Sequence, residues 1–336
     1  MERSKNIPLT AGEMSALWNG YNTETMALYT FKHFEMVVDD DEIKKDILSA
    51  IELFQNNSKE IRKIFESENH PVPVGFTERD VNLNAPKLFS DETAQYLLKF
   101  ISENGMQFYP TCLKFTSRED IRQFCTESSD KYISLVNQVT KTLLTKGMYV
   151  RPPQISAPEQ VDFVKKKSHL TGWLGERRPI HATQITHIFL NIQRNILGKT
   201  LLTGFSQTVK SEKIKKFLTK GKEMSKKKLD EFHLLLQDVD IEVSLPSNFN
   251  VTNSTQPPYS DKMMLEIILT TIRYAIAFYG EALAVSTRRD LFTFYNKTIA
   301  EVTLYANECV ELEIEFGYLE EQPKALDHDD IINKND

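Results

Sequence analysis

"TSREDIRQF", residues 116–124, returns as "STRRDLFTF" at residues 286–294. Two hydroxyls, an Arg, an Asp, an aliphatic and a Phe recur in the same order, 170 positions on. A phrase repeated at that distance makes self-similarity the first question to put to the chain.

The repeat extends well beyond the phrase. Ile43, Ile47, Ala50, Phe54, Ser58, Ile61 and Phe65 fall on Ile214, Leu218, Gly221, Ser225, Leu229, Phe232 and Leu236 at an offset of 171. Steps of three and four place each set on one helix face. Phe54 stands opposite Ser225, and Ser58 opposite Leu229, so large and small residues have changed places one turn apart. Related cores that conserve volume diverge in that way. Later anchors keep an offset of 170: "FSD" at 89–91 with "YSD" at 259–261, Phe108-Tyr109 with Phe278-Tyr279, Gly147 with Gly317, Pro153 with Pro323. The one-residue change must lie in a loop between Phe65 and Ser90. Two long copies indicate duplication of a whole domain, not a solenoid of short repeats.

Caps and glycines set the helices. Thr10-Ala-Gly-Glu13 reads as a capping box opening a helix over 11–37. A second helix spans 41–68, with acids at its start. A third follows Ser90, and a fourth runs from after Ser117 to Lys146, closed by Gly147 and barred from continuing by Pro152 and Pro153. The second copy predicts helices over 182–209, 211–237, 261–285 and 288–316, closed by Gly317. The repeated phrase is then a helix start. Ser117 and Thr287 are expected to cap, Asp120 and Asp290 to complete the cap, and Ile121, Phe124, Leu291 and Phe294 to open a buried stripe. Arg118 and Arg288 are the alternative, an anion site beside a helix N-terminus.

Connection lengths choose the topology. First to second and third to fourth helices are joined tightly, as antiparallel hairpins. Second to third runs through 69–90, and through 238–260 in the other copy, both rich in Pro, Asn and Thr. A helix of about 28 residues is about 42 Å long, and some twenty extended residues at about 3.3 Å each can cross it. The prediction is an all-α fold of two tandem ferritin-like up-down-down-up four-helix bundles from an internal duplication. The first bundle takes 1–153, a connecting segment packed on the bundles takes 154–180 with Val161, Phe163, Leu170, Trp173 and Leu174 as its anchors, the second bundle takes 181–324, and a disordered tail takes 325–336. The first helix of each copy carries apolar residues on two faces. Phe34, Val37, Leu201 and Phe205 are therefore expected to pack the two copies together across a pseudo-twofold axis.

Bulk properties narrow the partners. The 336 residues are 40% hydrophobic and 26% charged, with 12 Gly and 13 Pro, and a formal net charge of −6. That charge argues against nucleic acid. No apolar run approaches about 18 residues, so no membrane span is expected. Cys112, Cys125 and Cys309 form no CxxC pair, which fits a reducing compartment and a cytoplasmic location. The nine lysines of 210–228 read as a solvated helix face, with an anionic partner as the alternative. A homo-oligomer and a protein partner of unspecified kind are compatible with the composition.

A ferritin-like bundle invites a search for a di-iron site, which needs a Glu on each of two helices and Glu-x-x-His on the other two. No Glu-x-x-His exists among the seven histidines. Asp230-Glu-Phe-His233 is nearest, and the other copy has Lys59 and Arg62 there. Glu52 and Glu223 correspond, but Gln55 and Lys226 follow them. No catalytic residue, metal ligand or cofactor is assigned. Tyr21, His33, Glu52, His187 and Glu223 are candidates for an interior or ligand site. "LGKT" at 197–200 lacks the first glycine and the preceding strand of a phosphate-binding loop.

"VPVGFTERDVNLNAPKLFSD" (72–91), "KGMYVRPPQI" (146–155), "GWLGERRPI" (172–180) and "TRRDLFTFY" (287–295) resemble tandem-copy members of the domain-of-unknown-function 3231 family, found in endospore-forming Bacillus-type bacteria. The resemblance covers roughly 9–325. It implies a ferritin-like helical fold, similarity of some relatives to spore-coat proteins, and no established activity or catalytic residues. The expected role is a non-enzymatic structural or interaction protein, stress- or spore-associated. The alternatives are a small-ligand or metal-binding bundle, or a non-standard ferritin-like metal oxidoreductase.

Overall fold

A computed structural model describes residues 7–172, 178–243 and 249–326. Eight long α-helices carry it: α1 (Ala11–Val37), α2 (Asp41–Ser67), α3 (Asp91–Cys112), α4 (Glu119–Thr145), α5 (Ala182–Thr208), α6 (Glu212–Gln237), α7 (Asp261–Ala284) and α8 (Arg289–Glu315). Among the described residues there is no strand, only two isolated β-bridges. The protein is all-α, built of two repeated four-helix units.

Local chemistry fixes the helix ends. The Thr10–Glu13 capping box is formed at α1, Ser90 and Ser260 cap α3 and α7 through the third amide of each helix, and Gly147 and Gly317 take φ of 66° just past α4 and α8. The repeated phrase does something other than the expected hydroxyl cap. The N-cap residues of α4 and α8 are Arg118 and Arg288, and neither makes a side-chain cap. Each guanidinium instead grips the Asp two residues on: Arg118 reaches Asp120 at 2.9 and 2.6 Å, and Arg288 reaches Asp290 at 2.8 and 2.8 Å. Arginine's planar fork suits that bidentate geometry.

Contacts between helix ends show which termini lie together. At one end, Glu13 Oε1 on α1 accepts the amides of Ser117 and Arg118 at 2.8 Å each, and Arg118 pairs with Glu68 at the end of α2 at 2.7 Å. Burial alone would raise Glu13, yet the amides of Thr10, Arg118 and Ser117 pull its pKa down to about 2. At the other end, Lys146 after α4 bonds Asp40 at 2.8 Å and Glu42 at 2.9 Å, while Asp91 at the start of α3 accepts the amides of Asp39 and Asp40. The second unit repeats the last contact: Asp261 accepts the amides of Lys210 and Ser211 at 3.1 and 2.9 Å.

The long crossovers hold the units together. Val81 bridges Tyr259, and Phe89 bridges Val251. Asn82 N donates to Pro258 O at 2.8 Å, and Thr252 N to Leu88 O at 2.9 Å. Ser260 N donates to Asp80 O at 2.8 Å, and Ser90 N to Asn250 O at 3.1 Å. Shifted by 170, each contact becomes its own partner, which is what a twofold axis between the copies requires. Side chains obey the same relation. The Phe89 ring packs on α5 at Gly204, where any Cβ would meet it at 2.5 Å, and the Tyr259 ring packs on His33, the counterpart of Gly204, at 5.6 Å.

One expectation needs correction. Val161 is 85% exposed and Phe163 82% exposed, so these two do not anchor the connecting segment. Trp173, Leu174 and residues 327–336 of the expected tail lie outside the described residues. One helix, α7, is long and apolar enough by composition to cross a membrane, with mean hydropathy 1.3 over its 18-residue window. Half of that window is buried, and Met263, Met264, Leu265, Ile267, Ile268 and Leu269 belong to the core. A helix packed on several sides carries apolar residues nearly all round. The three cysteines are buried free thiols.

Candidate functional site

In the middle of the first unit, all four helices send a polar side chain to one point. Glu24 on α1 is the hub. Its carboxylate accepts from Asn57 Nδ2 on α2 at 2.9 Å, from Tyr109 OH on α3, and from Tyr132 OH on α4 at 3.0 Å to each oxygen. Ser128 on α4 closes the ring by donating to Asn57 Oδ1 at 3.3 Å. Gly105 makes room for the Tyr132 ring, which a Cβ there would strike. Burial pushes Glu24 up to about 7, against the opposing pull of its bonds from Asn57, Tyr109 and Tyr132. Desolvation disfavours the charged carboxylate more than three donors favour it.

The equivalent point in the second unit is built differently. Asn195, Lys228, Tyr279, Thr298 and Val302 stand where Glu24, Asn57, Tyr109, Ser128 and Tyr132 stand in the first. Asn195 Nδ2 donates to Tyr279 OH at 2.8 Å. Lys228 is 1% exposed. Its ammonium spends three donors on Glu231 (2.8 Å), Glu301 (2.7 Å) and Thr298 (3.2 Å). Lys228 therefore departs from the solvated face expected of the lysine run. Beside it opens a cavity of about 60 Å³, lined by Gly198, Ser225, Ala275 and Val302 among others. Three of these replace larger residues of the first unit: Ser225 for Phe54, Val302 for Tyr132, Gly198 for Ala27. Tyr305 in place of Leu135 and Leu229 in place of Ser58 return part of the lost volume. Arg194 also faces the cavity, its guanidinium 3.2 Å from the centre of the Phe278 ring. Burial lowers its pKa to about 10.

Neither point suits a carboxylate-bridged metal pair. The first offers one carboxylate, one amide and two phenols, with no imidazole. The second places a paired ammonium there. Hard metals in such bundles need several convergent carboxylates. Among the described residues no group of three His, Cys, Asp or Glu is arranged to hold a metal ion.

The candidates named from sequence scatter. Tyr21 is buried and its hydroxyl accepts from Arg62. His33 is buried between the units, with Nε2 3.1 Å from Ala85 O and no hydrogen-bond partner at Nδ1 among the described residues; burial lowers its pKa. Glu52 and Glu223 are exposed on outer helix faces. His187 is half-buried, with its pKa lowered by burial. These five do not converge. Arg118 and Arg288 are occupied by carboxylates of the chain itself. Phe34 and Phe205 lie on either side of Phe89, at 6.3 and 5.7 Å. Leu201 is buried and Val37 half-buried. Sequence reasoning missed Glu24. Its one signal is a lone acid amid the apolar stretch of helix α1, matched by a neutral Asn195 in the other copy.

The fold and its interior define a class: an all-helical protein of two repeated units on a shared frame, with different polar centres. The chain belongs to the family described as "Protein of unknown function (DUF3231)", which matches it twice, over residues 2–161 and 168–331. It is also similar to a solved structure from Bacillus halodurans C-125 described as a "putative spore coat protein", at 18% identity and a TM-score of 0.42, covering 46% of this chain and 99% of that one. No curated protein matches the chain.

Proposed function

We propose that this is a non-enzymatic, ferritin-like interaction protein, whose second unit receives a small apolar ligand at the point where the first unit is filled by its own side chains. The end-to-end contacts support an up-down-down-up bundle for each unit. The starts of α1 and α4 meet the end of α2, and the starts of α2 and α3 meet the end of α4. The observation that carries the ligand reading is the cavity beside Val302, Ser225 and Gly198, at the position that Tyr132, Phe54 and Ala27 occupy in the first unit. Leu202, Met224, Ile268, Ile272, Ala275 and Val302 give it a mainly apolar wall, and a small cavity with such a wall accepts an apolar guest of its own size.

Xenon is a suitable probe. Methyl resonances of Leu202, Met224, Ile268 and Ile272 should shift with dissolved xenon, and those around Glu24 should not. Val302→Tyr should abolish the shifts. Equal shifts in both units, or shifts that survive Val302→Tyr, would contradict the reading.

A further inference from the structure

Another opening lies between the units rather than within one. It is a cleft of about 460 Å³ between α1 and the α7–α8 pair. The segment after Gly317 straps across it. Glu320 accepts the amides of Val74 and Gly75 at 3.0 and 2.8 Å, and Gln322 donates to Asn19 at 2.8 Å. Trp18, Phe108, Tyr274 and Tyr318 contribute aromatic wall.

One carboxyl on this wall has a chemical deficit. Glu313 on α8 lines the cleft, is 2% exposed, and its Oε2 has no donor among the described residues. The group it faces is the carboxyl of Glu266 on α7, another acceptor, which takes Arg273 Nη1 at 3.1 Å. Two acceptors set against each other need a shared proton or an N–H donor from outside. The corresponding positions in the first unit are Tyr96 and Leu143, so the acid pair has no counterpart there. Two carboxylates are too few for a hard metal ion, which takes six or more oxygens or keeps most of its water. Carboxylates beside aromatic faces suit an organic cation.

We propose that the cleft binds a small organic monocation, an ammonium or guanidinium group on an apolar body, which donates to Glu313 and Glu266 while its body lies among the aromatic rings. The site is separate from the second-unit cavity and does not rest on it. Without a ligand, burial and then the charge of Glu266 push Glu313 up to about 9, with Arg273 and Lys262 opposing. The other groups at the cleft are Glu320 and Tyr318 from the strap and the neutral Asn19 and Asn22 from α1. A bound cation favours ionised Glu313, so binding below about pH 9 releases a proton, and above it does not.

The test is calorimetry on the full chain with phenethylamine at about pH 7.5, in two buffers of different ionisation enthalpy. Phenylacetate and 2-phenylethanol keep the body and change the head. The amine should bind one to one, at least about tenfold tighter than either control, and release close to one proton. Glu313→Gln should weaken the amine by about ten- to hundredfold and abolish the release, while Val302→Tyr changes neither. If Glu313→Gln fails to fold, Glu266→Gln is measured instead and should weaken the amine at least about tenfold. No amine binding at millimolar concentration, controls that bind as tightly, or unchanged binding by the folded variant would overturn the proposal.

Discussion

The two units share a helical plan and differ at corresponding points of their interiors. At the centre of the first, a buried acid satisfies two phenols and an amide, and large rings fill the rest. At the centre of the second, an amide replaces the acid, a lysine is neutralised by two glutamates, and smaller residues leave a cavity. The four-helix frame therefore does not need a particular centre. Each centre partners its charged group, Glu24 in one and Lys228 in the other, and the second tolerates a cavity beside that group.

The sharpest attack on the shared frame is Phe205→Asp. Phe205 is fully buried against Phe89 and Tyr259, at 5.7 and 6.0 Å. An unpaired carboxylate there should cost about 4 kcal/mol or more, seen as a fall in the denaturant midpoint of both units together. Unchanged stability would mean that the units do not depend on this contact.

Next comes the contrast between centres. Glu24→Ala strands Tyr109, Tyr132 and Asn57 and leaves a void, for a loss of about 3 kcal/mol. Asn195→Ala strands one phenol and should cost about 1 kcal/mol. Equal losses in thermal or denaturant unfolding would show that the centres are not as different as their chemistry.

The same contrast has a pH signature. The folded pKa of Glu24 is raised from 4.5 to about 7. The native state therefore holds the proton longer than the unfolded chain, and stability falls as pH rises from about 4.5 to 7, by about 3 kcal/mol at most. Glu313, raised from 4.5 to about 9, adds to the decline over the same window and carries it on to about pH 9. Glu13 has the opposite sign: its pKa is lowered to about 2, so its contribution is present above about 4.5 and lost below. Glu24→Gln should roughly halve the slope between about pH 4.5 and 7, leaving the part that Glu313 supplies, and should leave the slope above 7 intact. A profile identical to wild type would remove Glu24 from the account.

A milder attack on the seam than Phe205→Asp is a single added methyl. Gly204→Ala puts a methyl 2.5 Å from the Phe89 ring, and should lower stability by about 1–2 kcal/mol. Its counterpart His33→Ala removes a ring instead of adding a clash, so the pair separates overpacking from underpacking at related points of one interface.

Much of the frame is legible in the sequence. The Thr10–Glu13 box, Ser90, Gly147 and Gly317 are local signals, and the helix ends they mark are local events. The repeat at 170 and 171 fixes the two-unit plan. The pairing of Val81 with Tyr259 and Phe89 with Val251 is not legible, because isolated bridges between loops leave no alternating pattern. The repeated phrase misleads for a related reason. A hydroxyl before an acid looks like a cap, but the buried Arg118 takes Asp120 first. Correspondence between copies also points the wrong way for the site. Glu52 and Glu223 correspond and are exposed, whereas Glu24 and Asn195 differ and are central. Shared residues report the common frame, and the divergent ones report what each unit holds.

The claim that the two interiors have parted ways is tested most directly by a crystal structure of the chain under xenon pressure. The account predicts a xenon peak beside Val302 and Ser225, and none beside Tyr132 and Phe54. Density in the first interior, or in neither under conditions that load a reference cavity of similar size, would contradict it.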